Sequence, residues 1–578
     1  MSAQGSSLKR CANQGLYSYL LNREQIDAPR TAHRKAFRSI YPTDTLYNVR
    51  TPSCVLRKFS PDGKHFVCFS KNLHALQVFR YNGAPNNSHA SSVFEDIFSL
   101  CFEVVLTGGH EMLSNDFLLF TRNGRHMIVA SAVRSESELP SQRTPSSLQG
   151  LRDLDDVTFW IVDLVSGELV DKRKFEHDFI YLNHHAGVHL FHDTFGITSV
   201  KHQCIYMLYI TEAGRFVNVR TLGWYNHDDD ELLMAQYTNA GQGTRKRKAL
   251  MQGTASDTHQ DLAFSIIPNA GFNGMNRTTD PSVHVVPDTP RVYHMFRPLQ
   301  PRLQERRRTV KHAEPAPLSG IQQRMMTFLY RKAVSTGKIS AMHHFHRTFT
   351  RFSSLAMWRM QFLDADNIMI KFGEASAVAG TSVDLKAFSQ TCFFVLYCLS
   401  TTEVYAVFEN TSPELYAMVE NDVRFWGSPN HFSLPYISTP PTSMSARECL
   451  RRQFRTIEKA RNGGYTEAIK RTLSTLPHNN QSLIESPYLD QDLYSYDLRN
   501  VTNYDRPRPV GEFPTRFFDR ETGKCKFSID PNPIRPVAGA LPTKRYVSYI
   551  FHPSEPLIIS VLQAEYHTTV VNFFFRKS

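Results

Sequence analysis

At 578 residues, with 41% hydrophobic and 21% charged side chains, the chain is long enough for about three to four average domains or one very large one. That excludes a peptide, a disulfide-stapled miniprotein and a wholly disordered chain. Lysine and arginine exceed aspartate and glutamate by 66 to 54, a formal charge of +12, which permits acidic partners without requiring nucleic acid. Nine cysteines with no Cys-x-x-Cys spacing read as reduced thiols, not as a disulfide or zinc framework. No apolar run reaches membrane-helix length and the first residues lack a secretory h-region, so a soluble, non-secreted protein is expected.

The first element is Asn13 to Arg23. Leu16, Tyr17, Leu20 and Leu21 fall on one helical stripe, flanked by Asn13, Gln14 and the basic Arg23. A short apolar helix outside the first strands is a docking peptide of the helix-in-groove kind, or else it packs on its own domain. An N-terminal segment is therefore assigned to 1–49.

Strand follows strand from 50 to 238, broken at Gly, Pro and Asp-rich turns. One unit is a strand, an Asp/Asn-Gly turn and a second strand: Leu56 to Ser70 around Asp62-Gly63, Phe120 to Ser131 around Asn123-Gly124, and a degenerate copy, Phe551 to Val561. A second unit is a strand hairpin, seen at Phe159–Val170, Met207–Val219, Phe393–Phe408 and Phe517–Phe527. These repeats predict a mainly β fold, a WD40-like β-propeller of about seven four-stranded blades, with a pair of β-sandwiches as the competing arrangement.

Residues 239–320 interrupt the pattern with scattered proline and the basic runs Arg245-Lys246-Arg247-Lys248 and Arg306-Arg307-Arg308, and read as a mostly disordered basic insertion. Arg245 to Lys248 is a candidate nuclear-import run, or a solvated loop. A helical insertion is expected over 321–358, from Ile321 to Lys332 and from His343 to Trp358, the latter with Phe345, Phe349, Phe352 and Leu355 at helical spacing. Propeller strands resume over 359–411. A second helical insertion covers 412–480: Ser412-Pro413-Glu414 caps a helix running to Trp426, Ser445 to Glu448 forms a possible capping box, and Gly463-Gly464 separates that helix from another at Tyr465 to Leu476. Arg451, Arg452, Arg455 and Lys459 line the outer face, read as a solvated basic surface before a DNA-reading one. Closing blades are expected over 481–578.

The residue patterns of catalysis are missing. Gly380-Thr-Ser382-Val-Asp384 lacks the second glycine of a nucleophile elbow, His110-Glu111 has no histidine one turn on, and Gly241-Gln-Gly243 lacks a third glycine and a preceding strand. His184, His185, His189 and His192, and His343, His344 and His346, read as strand and helix histidines before metal ligands. Asp228 to Glu231 reads as a solvated acidic turn before a cation site. No enzyme activity, metal or cofactor is expected.

Several segments, in order along the chain, resemble the De-etiolated-1 family of light-signalling repressors. They are Arg57 to Gly63 after Cys54, Met357 to Asp364, Thr401 to Ser412, Gly463 to Ala468, Ser486 to Asp490, Phe551 to Pro556 and the hairpin 157–175. Departures fall at 239–320 and near 85–110. The resemblance implies a non-catalytic scaffold and substrate-receptor subunit of a nuclear cullin-RING ubiquitin ligase of the cullin-four class, promoting proteasomal degradation of targets such as transcription regulators. The implied partners are the damaged-DNA-binding protein adaptor, the small De-etiolated-associated protein, a ubiquitin-conjugating enzyme and the constitutive-photomorphogenic ligase. Asn13, Gln14, Leu16, Tyr17, Leu20 and Arg23 resemble the family's N-terminal element, which points to adaptor docking. A chromatin- or nucleic-acid-binding propeller, with histone contact, is the alternative.

Overall fold

The computed structural model describes residues 37–84, 93–134, 155–223, 228, 320–353, 355–374, 392–421, 444–482, 486–501, 508–509, 514–531, 545–564 and 569–577. All belong to one compact unit, Met1–Met234 together with Leu318–Ser578. Of the basic insertion at 239–320, all but Gly320 lies outside the described residues.

Most strands are short and hydrophobic, and several are joined by tight turns. After β1 (Asp44–Leu46) come β2 (Cys54–Phe59), β3 (His65–Ser70), β4 (Ala75–Tyr81) and β5 (Phe98–Val105), a four-stranded sheet in that order. The second sheet is β6 (Met112–Phe120), β7 (His126–Arg134), β8 (Asp155–Asp163) and β9 (Leu169–Asp178). The third is β10 (Val188–Phe191), β11 (Thr194–Ser199), β12 (Cys204–Ile210) and β13 (Phe216–Gly223). The fourth is β14 (Leu355–Phe362), β15 (Asn367–Glu374), β16 (Cys392–Cys398) and β17 (Glu403–Glu409). A smaller fifth sheet joins β18 (Tyr494–Ser495), β20 (Thr515–Asp519) and β21 (Cys525–Ile529). The sixth runs β1, β24 (Thr569–Phe575), β23 (Ile558–Ala564), β22 (Arg545–Phe551) and β19 (Arg508–Pro509). Every pairing is antiparallel, and β1 adds to β24 in the register Asp44 to Phe575. Residues 44–46, assigned to a separate N-terminal segment on sequence, are thus a strand of the last sheet.

Alternation with period two buries both faces of the inner strands, whereas the outer strands β5, β9 and β13 are largely exposed. In β7, Met127 and Val129 pack against the first sheet with Val67, Phe69 and Leu76. Ile128 and Ala130 point the other way, against Phe195 and Ile197 of the third sheet. A sandwich would leave one face of each sheet wet, so this two-sided burial disfavours the sandwich pair. The same logic joins the third sheet to the fourth through Met207 and Met360, the fifth to the sixth through Phe517 and Phe574, and the sixth back to the first through Phe573 and Phe66. Six sheets stand among the described residues, against about seven in the length arithmetic. The second sheet alone spans 112–178, more chain than the forty-odd residues assumed per unit.

The turns repeat one hydrogen-bonding device. The Ser60 hydroxyl accepts from His65 N–H while Asp62 accepts from Lys64 N–H; Thr121 and Asn123 do the same for His126 and Arg125. In the degenerate copy, His552 Nδ1 accepts from Ser554 and Glu555 N–H, which leaves Nε2 as the protonated nitrogen, donating to Gly63 O at 2.9 Å. This bond ties the sixth sheet to the first. Gly63 has φ +75°, and a Cβ there would lie 2.4 Å from His552 Cε1. Gly63→Ala should therefore destabilise by about 2–4 kcal/mol, read as a lowered urea midpoint; a midpoint unchanged from the parent would mean the clasp is loose.

Two groups of helices pack on the fourth sheet. α1 (Ile321–Ser335) and α2 (Ile339–Ser353) form a hairpin packed on β17, with Ile321 and Met325 in the core. α3 (Pro413–Asn421), α4 (Met444–Ile457) and α5 (Gly464–Leu473) cover the fourth sheet's other face through Leu415, Phe454, Ile469 and Leu473. Two expectations need correction. Leu355 to Trp358 belong to β14, not to the preceding helix, because both faces of that segment are needed between sheets. Ser445 lies inside α4, its N–H donated to Asp492, and Glu448 pairs with Arg452, so no capping box forms. Ser412 does cap α3, accepting from Leu415 N–H.

Candidate interaction site

The chain leaves α5 through a seven-residue strap, Leu476–Ser482, that crosses the edge strands of four successive sheets. Lys58 of β2 donates to Gln481 O at 2.6 Å. The Gln481 side chain grips Phe120 of β6 twice, accepting from its N–H and donating to its carbonyl, both at 2.8 Å. Asn479 Nδ2 donates to Val188 O of β10, and His478 N–H donates to Gln361 Oε1 of β14. His185, just before β10, meets Ser482 Oγ at 2.9 Å. Edge strands otherwise expose unpaired amides and carbonyls, and the strap satisfies part of these edges.

Burial around the strap sets its charge states. Burial pushes His478 down to about 4, so it is neutral at pH 7. Lys371 Nζ donates to Leu476 O at 3.1 Å and lies over the Trp358 and Phe394 rings. Burial, reinforced by Arg359 and opposed by Cys392, pulls this ammonium down to about 8.

Just before β1 the N-terminal chain is anchored on the fifth and sixth sheets. Tyr494 and Tyr488 hydroxyls donate to the carbonyls of Phe37 and Ile40, and Tyr41 stacks on Phe527. Arg38 pairs with Asp519 and Glu521. Burial alone would raise the Asp519 carboxyl, but the hydrogen bond and charge of Arg38, with the Thr522 amide and hydroxyl, hold it below the usual range. The candidate docking residues Asn13, Gln14, Leu16, Tyr17, Leu20, Leu21 and Arg23 lie outside the described residues, as do Arg245, Lys246, Arg247 and Lys248. Arg23 precedes Phe37 by fourteen positions, so the stripe can reach at most about 50 Å from the anchor.

The other candidates resolve into local partners. His185 Nε2 accepts from Leu118 N–H, His192 sits beside Arg122, and the buried His189 ring packs near Phe362. The His184 side chain lies outside the described residues, and among those described no three His, Cys, Asp or Glu side chains gather to hold a metal ion. Asp228 accepts from Thr221 N–H. On the basic helix face, Arg451 pairs with Glu420 and Arg452 with Glu448, while Arg455 has no ion-pair partner among the described residues; Lys459, expected on the same face, lies past the end of α4 in extended backbone and also has none among them. Sequence reasoning missed the strap and the 37–41 anchor. Pro-His-Asn-Asn-Gln-Ser reads as a polar loop, and nothing local in it shows that its amides serve distant strands.

A family model described as "De-etiolated protein 1 Det1" matches residues 115–577. The chain belongs to the De-etiolated protein 1 family. This family member is 27% identical over 567 residues to the "Light-mediated development protein DET1" of Arabidopsis thaliana, covering 94% of this chain and 95% of the relative. The protein of the same name from Solanum lycopersicum matches at 27% over 566 residues, with the same two shares. Among solved structures, the Pyrococcus horikoshii acylaminoacyl peptidase in its orthorhombic crystal form aligns at 13% identity with a TM-score of 0.19, covering 29% of this chain and 25% of that one. A likeness that slight carries no weight for the fold. The family match includes the strap and begins beyond the candidate docking residues.

Proposed function

We propose that this De-etiolated family member is a non-catalytic scaffold and substrate-receptor subunit of a nuclear cullin-RING ubiquitin ligase of the cullin-four class, promoting degradation of targets such as transcription regulators. Family membership over most of the chain is the observation that carries the reading. In it, the six sheets form a β-propeller closed by β1 on β24. Support comes from the strap: four edge strands lie within hydrogen-bond reach of seven residues, which span at most about 25 Å, as they would around a propeller axis. Lys58, Asn479 and Gln481 are committed to backbone partners there, an arrangement suited to rigidity more than to turnover.

Residues 13–23 dock on the damaged-DNA-binding protein adaptor, with Leu16, Tyr17, Leu20 and Leu21 as the buried stripe, tethered at Phe37–Tyr41. The De-etiolated-associated small protein, a ubiquitin-conjugating enzyme and the constitutive-photomorphogenic ligase complete the assembly, and transfer chemistry resides in those partners. Arg245 to Lys248 serves nuclear import. Arg455 and Lys459, which have no ion-pair partner among the described residues, favour a second reading, a chromatin- or nucleic-acid-binding propeller. Affinity purification of the tagged chain at moderate and then high salt separates the two. Adaptor and cullin should stay bound at high salt, whereas nucleic acid or histones that wash away with salt, without adaptor, would leave the second reading.

A further inference from the structure

Between Glu314 and Asp364 the sequence holds no acidic residue, and the α1–α2 hairpin lies within that stretch. Its root is fixed: Ile321 and Met325 are in the core, Arg324 donates to the Tyr397 hydroxyl, and Gln322 donates to Phe352 O. Its tip is different. The helices turn at Gly337, φ +64°, whose N–H returns to Val334 O. Around that turn Arg331, Lys332, Lys338 and Arg347 are exposed and have no ion-pair partner among the described residues.

Apolar side chains are exposed beside these cations. Tyr330 is 44% exposed, Val334 50%, Ile339 76% and Phe349 40%. Tyr330 and Phe349 each stack edge-on against Phe345, joining the two helices in one aromatic ladder. Ile339, Met342, His346 and Phe349 follow the i, i+3, i+7, i+10 spacing of one α2 stripe, with His343 and Arg347 on the adjoining stripe. The other apolar positions of α2, Phe345 and Phe352, already face the protein.

We propose that the tip and outer face of this hairpin form a docking surface for an acidic protein segment whose apolar side chains pack on Ile339 and Phe349 while its carboxylates meet Lys338, Arg347 and their neighbours. Charge complementarity argues for an acidic partner: Arg351, at the far end of α2, pairs with Glu374, but Arg331, Lys332, Lys338 and Arg347 have no ion-pair partner among the described residues. The aliphatic exposure of Val334 and Ile339 argues for protein over nucleic acid, which uses phosphate contacts and flat stacking surfaces. With only four exposed apolar residues shared between two helices, the apolar face is small for a membrane interface. The proposal uses none of residues 13–23, so it and adaptor docking are tested by different substitutions and fail independently.

The test is fluorescence anisotropy with the purified full-length chain. The probe is a labelled acidic peptide of about twelve residues with leucines at helical i, i+4 spacing, compared with its serine-for-leucine version, a single-stranded oligonucleotide and anionic vesicles. Micromolar binding of the leucine peptide is expected, about tenfold weaker for the serine version, and about tenfold weaker for Lys338→Glu with Arg347→Glu and, separately, for Ile339→Ser. All three side chains are exposed, so the melting temperature should hold and charge and apolar losses remain separable. No binding of the leucine peptide, equal binding by the variants, or preference for oligonucleotide or vesicles would each overturn the proposal.

Discussion

Asn479→Ala combined with Gln481→Ala should lower the unfolding free energy by about 3–6 kcal/mol, the largest effect expected of any pair of polar substitutions in this protein. Phe120 would lose partners for both its N–H and its carbonyl, and Val188 O would lose the Asn479 amide. Stranding a buried backbone group costs about 1–3 kcal/mol, and these groups sit where strand edges meet the strap. Urea unfolding followed by tryptophan fluorescence measures this, with exposed Glu212→Ala as a control expected within about 0.5 kcal/mol of the parent. A loss under about 1 kcal/mol would mean the strap is a passive loop.

Acid should weaken the protein well above the range where carboxylates titrate. His552 is pushed to about 4 by burial, against the opposing Gly63 hydrogen bond and Asp62 charge, and His478 to about 4 by burial alone. The ordinary histidine value is near 6.5. As pH falls below that, the unfolded chain takes up protons that the folded chain refuses, so stability is present above about 6.5 and is lost progressively down to about 4. Each group contributes up to about 3 kcal/mol at about 1.4 kcal/mol per pH unit. His65, His126 and His192 are lowered as well, chiefly by burial, and add in the same direction. The slope of unfolding free energy against pH should fall by close to one proton in His552→Asn, whose side-chain oxygen keeps an acceptor for the Ser554 and Glu555 amides. An unchanged slope would show that His552 does not carry the effect.

The hairpins were legible because their determinants are local. Asp62-Gly63 and Asn123-Gly124 place a left-handed glycine and an amide-binding side chain within five residues of the strands they join. The histidine turn at 552–557 kept that shape with different chemistry, so it read as degenerate. The end of α2 was misread because Phe345, Phe349, Phe352 and Leu355 keep helical spacing into a segment where burial on both sheet faces selects a strand. The strap, the Phe37–Tyr41 anchor and β1's pairing with β24 were not legible, since their partners stand hundreds of residues away and no local periodicity marks them.

The most direct test of the scaffold reading is the affinity of the purified chain for the purified damaged-DNA-binding protein adaptor, parent against Leu16→Asp with Leu20→Asp. It should be run at about 0.5 M salt, where screening leaves apolar docking as the main attraction. A one-to-one complex that survives this salt with the parent and is lost in the variant, with melting unchanged, is the predicted result. Equal binding by both, or none by the parent, would contradict it.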